Sequence, residues 1–382
     1  MAQETPLRLI IAAGGTGGHV LPAVAVIREL RSRGITLDAK WIGGNEGIES
    51  DVAGDESIPF ATIPAGKLRR YLDLKTIRDA VNIPRGVFAA RRIVREFKPD
   101  VVFSTGGFVS VPTVFAARRR APILTHEQTT ILGLANKINL RSADVLALSF
   151  DDTTARVGST KAKVVVTGNP VRSELSAGSA ERGRVRFSFS PELPIVFVTG
   201  GARGASPLNQ RVKAILPQLL DCAQVIHQTG PASANNDFAE LTALKESLPA
   251  QVATRYVLTE FVRDEIADVY AMADLVVSRA GAGTIAELSA LGKPAIMIPL
   301  PLSGGGEQIV NARALADHGA GVMMMQDDAT PERLLQEIED LLRSPDKRAT
   351  LATAAASLGR PDAAARLADE LLALARRPTP SR

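Results

Sequence analysis

Short apolar runs that stop abruptly at glycine alternate with longer stretches of helical spacing along this chain. "LRLIIAA" is a buried-strand pattern, and "LPAVAVIRELRSRG" after it carries apolar residues at helical spacing, with Gly34 as a stop. "LDAKWIGG", "DVVFSTGG", "APILTHE", "DVLALSF" and "KVVVTGNP" continue as strands. Gly168 to Leu175 reads as a loop, after which the pattern restarts with "LPIVFVTGGARGASPLNQRVKAILPQLL". "QVIHQTG", "RYVLTEFV", "DLVVSRAGAGTIAELSALG" and "PAIMIPLP" complete the second half. Apolar strands alternating with helices predict parallel sheets covered on both faces. The repetition is of architecture, not of sequence.

The pattern divides the chain into a Rossmann-like domain at 1–168 and a second at 169–360. The last helical stretch lies in 361–382. Whether that stretch packs back on the first domain is open from sequence. A length of 382 residues with 45% hydrophobic content supports two cores. The lone Cys222 excludes an internal disulfide and a cysteine metal cluster, and a reducing, cytoplasmic setting is expected. No signal peptide is expected, and no stretch approaches 18 uninterrupted apolar residues.

In open parallel sheets, ligands sit beyond the carboxyl ends of the strands. Three glycine loops fall there: Gly14, Gly15, Gly17 and Gly18; Gly200, Gly201 and Gly204; Gly281 and Gly283. A glycine loop opening a helix presents bare amides at a positive helix end, which suits phosphate. The first is not a Walker loop, since no Gly-Lys-Ser/Thr follows, and it matches the dinucleotide fingerprint only in part, with no acidic residue closing the second strand. Glu287, one turn into the helix after the third loop, fits two readings: a carboxylate for vicinal hydroxyls, or a charge complementing the helix dipole. His19, in the first helical turn after the first loop, is a candidate general base, and that position favours its neutral form. His126 and Glu127 stand at a strand end where site residues gather, whereas His227 and His318 read as ordinary residues. No Asp-x-Asp pair occurs, so no metal is expected, and Arg172 and Arg203 are the cations available to a leaving diphosphate.

Charge is uneven. Lys67 to Lys98 carries ten Lys+Arg against three Asp+Glu, with interleaved apolar residues. That composition fits an anionic membrane surface, extended by Arg118, Arg119 and Arg120, or else a solvated helix face. Nucleic acid is disfavoured by the 4% aromatic content and the lack of a binding module.

"GGTGGHVLPAVAVIREL", "STGGFVSVP", "HEQTTILGLANK", "GNPVR", "TGGARGASPLNQ", "LTEFV" and "SRAGAGTIAELSALGKPAIMIP", in this order from Leu7 to beyond Ala312, resemble the MurG family of N-acetylglucosaminyltransferases. The resemblance implies a GT-B fold: two facing doubly wound α/β domains with an interdomain cleft. It implies UDP-N-acetylglucosamine as donor and undecaprenyl-pyrophosphoryl-N-acetylmuramoyl-pentapeptide as acceptor. Transfer inverts the anomeric carbon without a cofactor, at the cytoplasmic face of the inner membrane, where the protein is peripheral. By position, His19 and Glu127 become the catalytic candidates, and Thr16, Gly17 and Gly18 bind substrate on the donor side of the first loop. Thr129 contacts sugar, Arg172 reaches diphosphate or sugar, Ala202, Arg203 and Gly204 form the second phosphate loop, and Val262 offers its backbone to uracil. Ala282, Gly283, Thr284, Ile285, Ala286 and Glu287 hold phosphate and ribose, with Gln308 on the N-acetylglucosamine hydroxyls.

Three motifs depart from the family's usual pattern: Thr129 stands for Asn, Ala202 and Arg203 lie in a loop that usually reads Gly-Gly-Ser-Gln-Gly, and Glu307 precedes Gln308. The alternatives are another UDP-sugar enzyme of the same fold, such as a glycolipid synthase or an epimerase, and a non-catalytic UDP-sugar-binding protein.

Overall fold

The computed structural model describes residues 5–15, 17–45, 47–65, 74–302 and 306–376, with the backbone alone for 74–82. Two compact units emerge: residues 1–171 with 360–382, and residues 172–359.

Unit 1 holds seven strands, β1 (Leu7–Ala13), β2 (Leu37–Gly43), β3 (Phe60–Thr62), β4 (Val101–Gly106), β5 (Ile123–Glu127), β6 (Val145–Leu148) and β7 (Lys163–Val166). Its first five helices are α1 (Gly17–Ser32), α2 (Glu49–Asp55), α3 (Leu74–Phe97), α4 (Ser110–Ala117) and α5 (Leu134–Asn139). The strands run parallel in the order β3-β2-β1-β4-β5-β6-β7. The order reverses between β1 and β4, the topological switch point where this architecture opens a ligand crevice.

Unit 2 repeats the plan with β8 (Ile195–Thr199), β9 (Gln224–Gln228), β10 (Tyr256–Thr259), β11 (Leu275–Ser278), β12 (Ala295–Met297) and β13 (Val322–Met323). Its helices are α6 (Ala180–Phe187), α7 (Ser206–Cys222), α8 (Asp237–Ser247), α9 (Ala250–Ala253), α10 (Ile266–Met272), α11 (Ala282–Ala290), α12 (Glu307–Asp317), α13 (Pro331–Arg343) and α14 (Pro345–Leu358). The parallel order β10-β9-β8-β11-β12-β13 places the second switch point between β8 and β11. The second and third glycine loops follow those two strands.

The chain's last described helix, α15 (Ala363–Ala375), belongs to unit 1. Leu367, Ala368, Leu371 and Leu374 are buried in one cluster with Leu9, Ile11, Val26, Ile27 and Leu30. Arg33 to Asp369 at 2.5 Å and Lys163 to Glu370 at 2.6 Å pair across the same contact. The apolar pattern starts α1 at Leu21, but the helix begins four residues earlier, inside the glycine run. His19 therefore sits on its first turn. The strands β3 and β13, of three and two residues, are too short for alternation to show. Among the described residues no helix is long and apolar enough to cross a membrane.

Candidate active site

At the first switch point the glycine run is already occupied by the protein itself. Glu49, at the start of α2, is fully buried. Its Oε2 accepts from the Gly15 amide and its Oε1 from the Gly44 amide, both at 3.2 Å. A Cβ on Gly14 would lie 2.4 Å from Oε1, and one on Gly47 would lie 2.0 Å from Oε2. The glycines after β1 and β2 thus make room for one carboxyl group, which clamps the two loops together. The acidic residue missing from the end of β2 is present six residues on, turned inward rather than toward a ligand. Glu49→Ala is expected to strand both amides, at roughly 1–3 kcal/mol each. Hydrogen exchange at Gly15 and Gly44 should then quicken while the centre of β2 stays protected; unchanged exchange would mean that the loops are held by other means.

His19 leaves this clamp half-buried. Its Nδ1 lies 2.9 Å from the Thr105 carbonyl and 3.1 Å from Gln128 Oε1. Gln128 Nε2 donates to the same Thr105 carbonyl at 2.7 Å and reaches His126 Nδ1 at 3.2 Å. A flipped amide would oppose two oxygens at 2.7 Å, so its oxygen faces His19. Both neighbours of His19 Nδ1 are then pure acceptors, and Nδ1 carries the proton. The far end agrees: His126 Nε2 donates to the Gly168 carbonyl at 3.0 Å, which leaves its Nδ1 as acceptor. Burial pushes the His126 imidazole down to about 4, so it stays neutral. Thr105 Oγ1 also donates to the His19 carbonyl at 2.5 Å. No described residue bonds His19 Nε2, whose lone pair is the basic atom of this group.

Glu127 has a different task. Its Oε1 accepts from the Thr129 amide at 3.1 Å and the Thr129 hydroxyl at 2.9 Å. Its Oε2 accepts from the Gly133 amide at 2.7 Å and Asn136 Nδ2 at 3.0 Å. With both oxygens engaged and 3% exposure, Glu127 braces the loop that carries Gln128. Thr129, whose hydroxyl also lies 2.6 Å from the Ile131 carbonyl, is part of that brace. Gly17 and Gly18 form the start of α1, while Thr16 lies outside the described residues.

In unit 2 the second loop turns tightly against the end of β9. A Cβ on Gly204 would lie 2.0 Å from the Thr229 carbonyl, which only glycine avoids. Gln228 Nε2 donates to Thr199 Oγ1 at 3.1 Å, and its Oε1 accepts from the Val262 amide at 2.9 Å. One side chain thus holds both the loop and Val262, leaving Ala202 and Arg203 exposed at the tip. Neither α7 nor α11 has a side-chain cap at its N-terminus. Such ends accept an anion.

Glu287 lies on the second turn of α11. Its Oε2 accepts from the Tyr270 hydroxyl at 2.8 Å, and its Oε1 is 3.7 Å from Arg172 Nη2. Burial raises its carboxyl above the ordinary glutamate value, while Arg172 and the Tyr270 bond oppose the rise. The buried Arg172 Nε has no partner among the described residues. Behind the third loop, Arg279 is buried with two oxygen partners, the Ile298 carbonyl at 2.9 Å and Gln326 Oε1 at 2.8 Å. Burial, then repulsion from Arg211, lowers it to about 10, so it is still a cation at neutral pH. Gln308 Oε1 accepts from the Leu300 amide at 3.0 Å. His227 is buried between Tyr256 and Asn209, and His318 bonds the Ala314 carbonyl of its own helix.

Residues 9–147 match the glycosyltransferase family 28 N-terminal domain, and residues 195–367 match the family 28 C-terminal domain. A Bacillus cereus protein, named as a UDP-N-acetylglucosamine–N-acetylmuramyl-(pentapeptide) pyrophosphoryl-undecaprenol N-acetylglucosamine transferase, is 38% identical over 87% of this chain and 91% of its own length. The crystal structure of MurG from Acinetobacter baumannii superposes with a TM-score of 0.72 at 28% identity, covering 96% of this chain and all of that one. The chain belongs to the MurG family of glycosyltransferases. The UDP-GlcNAc 2-epimerase from Neisseria meningitidis, at 15% identity and a TM-score of 0.66, shares the fold alone.

Membership in the MurG family fixes the fold as two Rossmann-like halves of GT-B type. Within unit 1, the structure gathers Gly17, Gly18, His19, Glu127 and Thr129 around the carboxyl ends of β1, β4 and β5. Within unit 2, it gathers Arg172, Ala202–Gly204, Val262 and Ala282–Glu287 around those of β8, β10 and β11, with Gln308 on α12. Sequence reasoning on the MurG motifs overlooked Glu49, Thr105, Gln128, Gln228, Tyr270 and Arg279. Gln128 stands inside the motif "HEQT", but its role depends on carbonyls brought in from other strands.

Proposed function

We propose that the chain moves N-acetylglucosamine from UDP-N-acetylglucosamine to the 4-hydroxyl of the muramoyl sugar in undecaprenyl-pyrophosphoryl-N-acetylmuramoyl-pentapeptide, with inversion. The observation that carries the mechanism is the pair of oxygens at His19 Nδ1, the Thr105 carbonyl at 2.9 Å and Gln128 Oε1 at 3.1 Å, which assigns the proton to Nδ1 and the lone pair to Nε2. Nε2 takes the proton of the acceptor hydroxyl as its oxygen attacks the anomeric carbon. The bond from that carbon to the diphosphate oxygen breaks, and UDP departs with the electron pair. The uncapped ends of α7 and α11, with Arg172 and Arg203, meet the charge that builds on the diphosphate. Glu287 takes the ribose hydroxyls, the Val262 backbone the uracil, and Gln308 the sugar hydroxyls. Glu127 and Thr129 position this chemistry through their loop and stand outside the proton transfer.

Transfer of labelled N-acetylglucosamine to a lipid-linked muramoyl-pentapeptide acceptor, and not to diacylglycerol, is the test. Turnover of the donor without an acceptor would point to an epimerase instead, and donor binding without any turnover to a sugar-nucleotide sensor.

The acceptor is a membrane lipid, and the enzyme works as a peripheral protein on the cytoplasmic face of that membrane. Supporting this, Phe88 and Phe115 are exposed on α3 and α4, with the Arg91 guanidinium 5.9 Å from each ring and that of Arg118 3.8 Å from Phe115. Arg69, Arg70 and the rest of 67–73 lie outside the described residues, as do the side chains of 74–82, Arg78 included. Replacing Arg91 and Arg118 by Glu is expected to weaken binding to anionic vesicles at least ~10-fold, since each basic residue at such a surface contributes about 1 kcal/mol. Undiminished sedimentation with those vesicles would leave this face an ordinary solvated one.

A further inference from the structure

Tyr270, on α10, has a hydroxyl that packing does not require. The side chain is 3% exposed, and its ring meets Phe197 of β8 edge-on, with centroids 5.5 Å apart and planes at 90°. A phenylalanine would make the same contact without burying a hydroxyl, which costs free energy unless bonded. Among the described residues that hydroxyl has one partner, Glu287 Oε2 at 2.8 Å. Burial first, then the charge of Glu287, pushes the phenol well above its usual range, so the proton stays on the tyrosine and the bond runs toward the carboxylate.

A glutamate carboxylate turns almost freely about its last torsion. Here two groups remove that freedom: the Tyr270 donor on Oε2, and the Arg172 guanidinium 3.7 Å from Oε1. A carboxylate with a fixed plane accepts from two neighbouring hydroxyls at once, whereas one that turns holds them in succession and less tightly.

We propose that Tyr270 is a positioning residue for nucleotide selection: by holding one oxygen of Glu287, it sets the carboxylate plane that reads the vicinal diol of a ribonucleoside diphosphate. The proposal rests on the reading of Glu287 as the ribose contact. It makes the ribose preference of the donor site depend on a hydroxyl that does not touch the nucleotide.

The test is equilibrium binding of UDP and of 2′,3′-dideoxy-UDP to the full chain, wild type and Tyr270→Phe, at neutral pH. The wild type is expected to prefer UDP. In Tyr270→Phe, UDP affinity should fall about 10-fold while dideoxy-UDP affinity stays within about 2-fold, because the Glu287 carboxylate is freed to turn and only the ribose hydroxyls feel it. Dideoxy-UDP binding also reports that the variant is folded. In the transfer assay, KM for the donor should rise with kcat unchanged. If Tyr270→Phe keeps the wild-type preference, or loses both nucleotides equally, the hydroxyl is structural and the proposal fails. If the wild type itself does not distinguish the two nucleotides, the ribose reading of Glu287 fails, and the proposal with it.

Discussion

Replacing His19 by alanine is expected to slow single-turnover transfer by about 10²–10⁴-fold, the usual worth of a positioned general base. Affinity for UDP-N-acetylglucosamine should change far less, because the diphosphate, ribose and uracil contacts proposed in unit 2 are left intact. The expectation rests on atoms rather than on residue type. Thr105 and Gln128 present two acceptors to Nδ1, at 2.9 and 3.1 Å, so the neutral ring always offers Nε2 as the base. Long-range ¹⁵N–¹H spectra of the wild type should therefore show His19 protonated on Nδ1. An unchanged single-turnover rate in His19→Ala would remove the base, and an Nε2–H ring would remove the mechanism written for it.

Glu287→Ala should raise the dissociation constant for UDP-N-acetylglucosamine by about 10²-fold or more, since hydrogen bonds to a charged group contribute roughly 1.5–3 kcal/mol each and two are lost. Maximal turnover at saturating donor should change far less. The same residue sets a pH dependence. Ribose hydroxyls donate, so the ionised carboxylate is the binding form, and burial raises its pKa above the ordinary 4.5. Affinity is therefore full at neutral pH and falls with acidification, starting at a higher pH than an exposed glutamate would give. The donor's diphosphate is a diester with no ionisation of its own in that range, which makes titration by calorimetry direct. A pH-independent affinity, or an unaffected alanine variant, would take Glu287 off the ribose.

The halves of this fold are legible because each strand is an apolar run closed by glycine, as in "LIIAAGG" and "IVFVTGG". What the loops hold is not legible in the same way. The first loop reads as a phosphate cradle, yet its Gly15 amide binds Glu49, 34 residues away, through a contact that only the β1–β2 pairing creates. Gln128 reads as one polar residue among several. Its orientation follows from carbonyls at Thr105, 23 residues distant, and at Gly168, which is 42 residues from His126. Composition and spacing carry no record of which way a carbonyl points. Tyr270 is hidden for another reason: its spacing is that of a helix core position, and only the hydroxyl's partner separates it from phenylalanine.

Because α15 completes the core of unit 1, the chain is made in an order that its fold does not follow. The first 171 residues leave the ribosome early, but the helix that packs against α1, β4 and β5 emerges only after all of unit 2. At a synthesis rate of roughly 5–20 residues per second, the first-made sheet waits between about 10 and 40 s with that flank bare. The second-made half, an uninterrupted segment, can close upon itself during the delay. The half born first is the half finished last, and the interval is where a chaperone or a neighbouring nascent chain would find it.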